Sequence, residues 1–523
     1  MSCIELTGDS LTIGQLVDVA CNHKSVAPLS EKIKDRMLVS QSWIEATVAD
    51  NDKTIYGINT GFGPLASVRI APEEAAKLSR NVILACLVGV GPGLPIEIVR
   101  AMMLVRANTL CSGHSGVRPL LVQTLIDMLN ADVAPFIPSK GSLGASGDLA
   151  PLAHMAVVLT RDIEDGEGGY SGQAYYRGEL MSGAEAMHKA GILRLKPEAK
   201  EGLALCNGTT FMVSAGTIAI HRAMGLIDNA EIAAALSLEA LTGLSAAFHP
   251  QLQEANRLHG QVQTAANIRN LVQGSRLVDA DLERVQDAYA LRCSPQVLGP
   301  IRHSLEFVRD NIKPLLNGAT DNPLIFEESS GETPFVAVSG GNFHGEGIAM
   351  WLDFLGISVA EIGNISERRT FRMVTPELNN GLPAMLVKSP GLNTGLMMPQ
   401  YTAAALVSDN KTLAHPDSVD SIPSSANQED HVSMGANAVR HALEIIDNVN
   451  KIVAIELLTA AQAIDLRPNG PEQLGQGTSR AYNNIRRTVN AITSDRELSP
   501  DIEAIARLVQ SGELLEAVKR KDH

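Results

Sequence analysis

The sequence predicts a mainly α protein in which a loop-rich N-terminal domain precedes a bundle of long helices. Three observations carry this. Apolar residues recur three and four apart over most of the chain. Aromatics make up only 4% of a chain that is 45% hydrophobic, and Ala, Leu, Gly and Met are plentiful, a mix that suits helices packed closely on small side chains more than a β-sandwich. The helical patterns also lengthen after about residue 200, as a bundle requires.

Taken in order, PEEAAKLSRNVILACLV (72–88), EIVRAMMLVRANTL (97–110) and RPLLVQTLIDMLNA (118–131) each read as an amphipathic or buried helix. Short Gly/Pro breaks, GVGPGLP (89–95) and CSGHSGV (111–117), separate them. DLAPLAHMA (148–156) reads as a helix with Asp148 near its start and Pro151 in its first turn. Longer patterns follow over 208–248, 342–370 and 436–466. Two short Gly-flanked stretches, GGYSGQAYYRGELMSG (168–183) and ETPFVAVSG (332–340), are the β candidates and read as small hairpins. The change of character near 205–215 places a boundary between domains 1–210 and 211–523.

Composition narrows the function. With 43 basic and 58 acidic residues the net charge is −15, so nothing attracts nucleic acid or an anionic membrane over distance. The six cysteines, at 3, 21, 86, 111, 206 and 293, form no C-x-x-C pair and read as reduced thiols of a cytoplasmic protein. MSCIELTGDSLTIGQLVDVA lacks the basic and apolar regions of a signal peptide. The apolar run AEIAAALSLEALTGLSAAF (230–248) carries Glu231 and Glu239, which argues for a core helix and against a membrane span.

GSLGASGDLAPLAHMA (141–156) crowds three glycines around Ala145-Ser146, although each costs backbone entropy. If the amide nitrogen of Gly147 attacks the carbonyl of Ala145, a five-membered ring closes across Ser146. Loss of water, including the Ser146 hydroxyl, then leaves an exocyclic methylene, a built-in electrophile. Ala-Ser-Gly alone is common, and a plain loop is its ordinary reading.

The surrounding text changes the balance. This segment resembles the prosthetic-group segment of the aromatic amino-acid ammonia-lyases and related aminomutases. So do YGINTGFGPL (56–65), EGLALCNGTT (201–210), VQDAYALRCSPQVLG (285–299), TDNPL (320–324), SGGNFHGE (339–346) and SSANQEDHVSMG (424–435). The resemblance runs almost end to end and is closest to the histidine type. It implies the fumarase/aspartase-like ammonia-lyase fold with its long central bundle. It also implies a 4-methylideneimidazole-5-one (MIO) group formed autocatalytically from Ala145, Ser146 and Gly147, with no diffusible cofactor. A homotetramer whose sites draw on several chains would explain motifs scattered along the sequence.

The resemblance assigns roles by position. Tyr56 matches the base that takes the β-proton; by itself it reads as a loop anchor. Arg292 matches the group that binds the substrate carboxylate, for which a guanidinium fork is suited. Asn207 matches the amide beside the ring and the substrate carboxylate, and Gln286 and Tyr289 match further site positions. An amide and a phenol suit the task of orienting the ring oxygen. Phe343 is expected to pack on the ring. Glu429, within NQED, is a feature of the histidine type, where phenylalanine and tyrosine lyases usually place Gln, and a carboxylate rewards an imidazole or amino group.

One stretch departs from the pattern. Before GVG the histidine type typically carries Ser-His, whereas this chain has Ala85-Cys86, which implies a larger, less polar pocket. An L-histidine-like substrate giving a urocanate-like acrylate is therefore the leading expectation. Tyrosine, phenylalanine, a modified histidine such as ergothioneine, and 2,3-aminomutase chemistry are the alternatives, and a catalytically silent helical scaffold is the reading from another class. His114, His344 and His431 lack the spacing of a compact metal motif, so no metal is expected.

Overall fold

The computed structural model describes residues 3–50, 54–162, 169–281, 283–328 and 335–520. Helix dominates, and the periodic segments form where the sequence places them. The helices run over Ala75–Ala85 (after a 3-10 turn at Pro72–Glu74), Ile96–Leu110, Pro119–Asn130, Leu149–Leu159, Thr210–Ala240, Glu346–Val374 and Gly435–Leu466. Each ends within a few residues of its Gly, Pro or polar break.

The chain divides into two compact units, one of 1–218, 310–352 and 416–440, the other of 219–309, 353–415 and 441–523. All the divisions except 415/416 fall inside helices.

The first unit is built on the 96–110 helix, whose residues from Ile98 to Leu110 are all buried, as expected of a helix that is apolar all round. Its two arginines bond chiefly to main chain, although Arg106 Nε has no hydrogen-bond partner among the described residues. Arg100 donates to the carbonyls of Val19 and Leu129 and to Asp132. Arg106 donates to the carbonyls of Ala204 and Asn207 at 3.0 and 2.8 Å. Glycine sets one close approach: a Cβ on Gly202 would collide with the carbonyl of Ser79, so the Glu201–Cys206 helix lies directly on the 75–85 helix.

Three small antiparallel sheets border these helices. β1 (Val90–Gly93) pairs with β3 (Pro138–Lys140). β2 (Val133–Pro135) pairs with β4 (Gln173–Tyr176), and β4 pairs with β5 (Glu179–Ser182). β6 (Leu324–Glu327) pairs with β7 (Phe335–Val338). The first β candidate is thus the β4–β5 hairpin and the second supplies β7; Gly168 and residues 332–334 lie outside the described residues. β1 forms within GVGPGLP, which reads as a break because a Gly/Pro strand has no periodicity to show.

The second unit is a packing of long helices on small side chains. Ala230, Ala233, Ala235, Ala460, Ala461 and Ala463 are fully buried or nearly so. A completely buried ion pair joins Arg369 to Glu456 at 2.5 Å, and Ser237 also donates to Glu456 at 2.7 Å. The 210–240 and 346–374 helices are long and apolar enough to cross a membrane, but their most apolar stretches are 78% and 56% buried within the protein. Glu231 and Glu239 are held there by polar partners, Asn267 with Arg302 and the Gly475 amide respectively.

Candidate active site

A cavity of about 760 Å³ opens in the first unit, a volume suited to a small-molecule ligand. Tyr56, Ala85, Cys86, Ala145, Ser146 and Asn207 line it, together with Phe343 and Glu429. Residues between 56 and 429 therefore converge on one space. A second cavity, of about 500 Å³ in the second unit, carries none of the predicted site residues.

The Gly-rich loop is held by main-chain bonds from two distant segments. Gly345 N donates to the Gly144 carbonyl at 3.1 Å, and Met434 N to that of Leu143 at 2.8 Å. Ala145 packs with Val432 and Met434 in a small apolar cluster. Gly147 has φ +73°, and a Cβ there would run into the Gly208 backbone, so only glycine fits. Gly147 and Gly208 form a parallel bridge in which Asp148 N donates to the Gly208 carbonyl at 2.8 Å.

Ser146 sits between two functional side chains. Asn207 Nδ2 donates to its carbonyl oxygen at 2.7 Å, and Gly208 N lies 3.4 Å from the same oxygen. The Ser146 hydroxyl donates to Glu429 Oε1 at 2.6 Å. Glu429 Oε2 accepts from Ser424 at 3.1 Å, and a main-chain bridge between Ser424 and Glu429 closes the turn that presents the carboxylate. Asn207 is 4% exposed, and its Oδ1 has no hydrogen-bond partner among the described residues.

Tyr56 stands at the base of a loop whose Phe62, Gly63, Pro64 and Ala66 also reach the cavity. Its hydroxyl accepts a long bond, 3.5 Å, from Gly63 N. Cys86 ends the 75–85 helix; burial, and then the nearby Glu429 charge, push its thiol pKa above the ordinary value.

Asp148 stands at the start of its helix as the sequence places it, but its side chain serves another element. It precedes the 149–159 helix, yet its side chain makes no cap there. Instead Oδ2 accepts from Met212 N at 3.0 Å, at the start of the 210–240 helix. Completely buried, it has its pKa pushed up to about 7 by desolvation, against the pull of the Met212 and Phe211 amides, Arg106 and Ser142. Arg106 likewise escapes sequence reading, since it lies inside an apolar helical run and holds the Asn207 main chain from behind. Beside it, Lys200 pairs with Asp321 at 2.6 Å, both essentially unexposed, and Ser115 bridges the two.

Gln286, Tyr289 and Arg292 belong to the second unit and do not line this cavity. The Arg292 guanidinium lies over the Tyr289 ring, 4.7 Å from its centroid. Tyr289 is 70% exposed, and Arg292 Nε is buried without a hydrogen-bond partner among the described residues.

Known proteins share this architecture. The chain is 48% identical to a histidine ammonia-lyase of Clostridium tetani, across 98% of this chain and 97% of that one. A crystal structure of histidine ammonia-lyase from Trypanosoma cruzi superposes with a TM-score of 0.88 at 38% identity, over 99% of this chain and 95% of that one. A tyrosine aminomutase from Streptomyces globisporus superposes with a TM-score of 0.91 at 34% identity, over 99% and 98%. The family model described as aromatic amino acid lyase matches residues 11–487, which takes in every segment that meets at the cavity, and the chain belongs to that family.

Proposed function

We propose that this protein is an ammonia-lyase that builds a 4-methylideneimidazole-5-one group from its own Ala145, Ser146 and Gly147. Its substrate is an L-histidine-like amino acid and its product a urocanate-like acrylate. The observation that carries this reading is the placement of Ser146 on the cavity wall, its carbonyl held by Asn207 and its hydroxyl by Glu429. The residues fit the group in two respects. The Gly147–Gly208 contact leaves no room for a Cβ on Gly147, and the orphaned Asn207 Oδ1 has a partner to gain.

Once formed, the group supplies the electrophile that makes ammonia a feasible leaving group. The Ser146 carbonyl oxygen is the one the ring retains. Asn207 Nδ2–H and Gly208 N–H point at it and stabilise negative charge that gathers there. Tyr56 takes the β-proton. Glu429 pairs with an imidazole N–H or with the substrate amine. Arg292 binds the substrate carboxylate, with Gln286 and Tyr289 beside it. These three are not among the residues that line the cavity; a neighbouring copy supplies them in a homotetramer, and the exposure of Tyr289 agrees with that. Six cysteines outside any disulfide support a reducing, cytoplasmic setting.

Ala85 and Cys86, small and uncharged beside Glu429, favour as a second reading a bulkier imidazole such as the thiolated, N-methylated histidine ergothioneine. The test is to incubate purified protein with L-histidine, L-tyrosine, L-phenylalanine and ergothioneine and follow acrylate absorbance, with intact mass reporting the loss of two waters. Urocanate from L-histidine upholds the first reading, and turnover of ergothioneine alone upholds the second. Full-mass protein inert on all four would overturn both.

A further inference from the structure

The cavity wall next to Glu429 carries a cluster that the chemistry above leaves unused. His344 and His431 both line the cavity. Glu346 opens the 346–374 helix behind them. One ligand atom from each of His344, Glu346 and His431 lies within 4.8 Å of the other two.

Two features of the cluster are unlike ordinary hydrogen bonding. His344 Nε2 and His431 Nδ1 are 3.4 Å apart, long for an N–H···N bond. Two imidazole nitrogens, each about 2.0–2.1 Å from one tetrahedral ion, stand about 3.4 Å from one another. Glu346 Oε2 is buried with no hydrogen-bond partner among the described residues, where a buried acceptor is expected to have one.

We propose that His344, Glu346 and His431 bind one divalent transition-metal ion of the zinc class. Two imidazoles and a carboxylate suit such an ion, whereas magnesium and calcium seek oxygen ligands. The site is assembled from the start of one helix and the segment that presents Glu429. Occupancy therefore pins that segment to the helix.

Binding has a definite cost. His344 Nε2 now lies 3.1 Å from the His431 carbonyl, and Nδ1 receives a 3.3 Å contact from Glu346 N. Ligation through Nε2 replaces its proton by the metal, moves the ring proton to Nδ1 and gives up that long amide contact. The Glu346 carboxylate closes onto the ion by side-chain rotation.

The test uses full-length protein with Cys3→Ser and Cys21→Ser, which remove the exposed thiols as competitors. After chelator treatment it is dialysed against buffered ZnCl2 or MgCl2, and bound metal is counted by elemental mass spectrometry. One zinc and no magnesium per chain is the expected result. His431→Asn and Glu346→Gln should each weaken zinc binding at least tenfold while leaving the metal-free melting curve in place. X-ray absorption of the zinc-loaded protein should show nitrogen and oxygen neighbours only. Failure to retain zinc, retention unchanged in both variants, or sulfur ligation would each overturn the site.

Discussion

Asn207→Ala separates catalysis from stability more cleanly than any other change at the site. The side chain gives one short bond, 2.7 Å, to the Ser146 carbonyl, and its other polar atom has no hydrogen-bond partner among the described residues. Truncation therefore removes one hydrogen bond and one buried orphan together, which should cost stability only about 1 kcal/mol. The main chain stays in place, because Arg106 holds the Asn207 carbonyl at 2.8 Å. Catalysis loses much more. The remaining donor to the Ser146 oxygen is Gly208 N, at 3.4 Å, so the variant lacks the better of two groups facing a developing negative charge. Loss of one such donor lowers kcat by about 10²–10³, or about 3–4 kcal/mol. The assay is acrylate formation at saturating substrate, alongside a thermal melt and intact mass. A variant that has lost its two waters and melts normally, yet keeps kcat within threefold of wild type, would refute the assignment.

Four further perturbations follow from the same geometry. Glu429→Gln removes a charged partner of an imidazole or amine, and kcat/KM on imidazole substrates should fall roughly 10–100-fold with no comparable loss on phenylalanine; equal losses on both would count against recognition by Glu429. Burial holds the Asp148 carboxyl up at about 7, against about 3.9 when unfolded. Its contribution to stability is thus complete below about pH 4 and is lost as the pH rises towards 7, so Asp148→Asn should flatten the stability profile there by up to about 1.4 kcal/mol per pH unit; parallel profiles from urea melts would exclude this. Burial likewise pushes the Cys111 thiol up to about 12 and that of Cys206 well above its ordinary value. Alkylation followed by mass spectrometry should mark the exposed Cys3 and Cys21 first and reach those two only on unfolding. Lys200→Met should cost about 3–5 kcal/mol by leaving Asp321 buried and unpaired, and adding Asp321→Leu should return much of that; additive losses in denaturant melts would contradict the pairing.

The long helices were legible because burying one face imposes a period of 3.6 residues. The helices over 96–110, 119–130, 346–374 and 435–466 advertise that period directly. The strands β1 and β3 were not legible: they are Gly/Pro-containing stretches of four and three residues, and only their pairing makes them strands. The cavity residues were legible as motifs, but their neighbours were not. Asp148 carries an N-cap signal for the helix that follows it, yet bonds the start of another helix, because a short acidic side chain serves whichever amides the fold brings within reach. His344 and His431 showed no metal spacing, since ligands drawn from two distant segments leave no local pattern. Gln286, Tyr289 and Arg292 lie three apart in one short stretch, and no local signal there says which cavity they serve.

The buried charges behind the cavity answer a physical need of the Ala-Ser-Gly segment. A backbone that must hold a left-handed glycine against another glycine, with no side chain between them, cannot rely on apolar packing for its position. It needs directional bonds from rigid elements, and those require donors and acceptors deep in the protein. Asp148 spans to the start of the 210–240 helix, while Arg106 reaches from the 96–110 helix to the carbonyls at the end of the 201–206 helix. Lys200 and Asp321 tie the start of that same helix to the segment preceding β6. Apolar isosteres would often stabilise such positions more, but they would fix neither the Asn207 carbonyl nor the loop that carries Ser146. On this reasoning the ionic layer contributes registration more than net stability. Paired apolar replacements in it should therefore lower kcat by a larger free energy than they take from the melt.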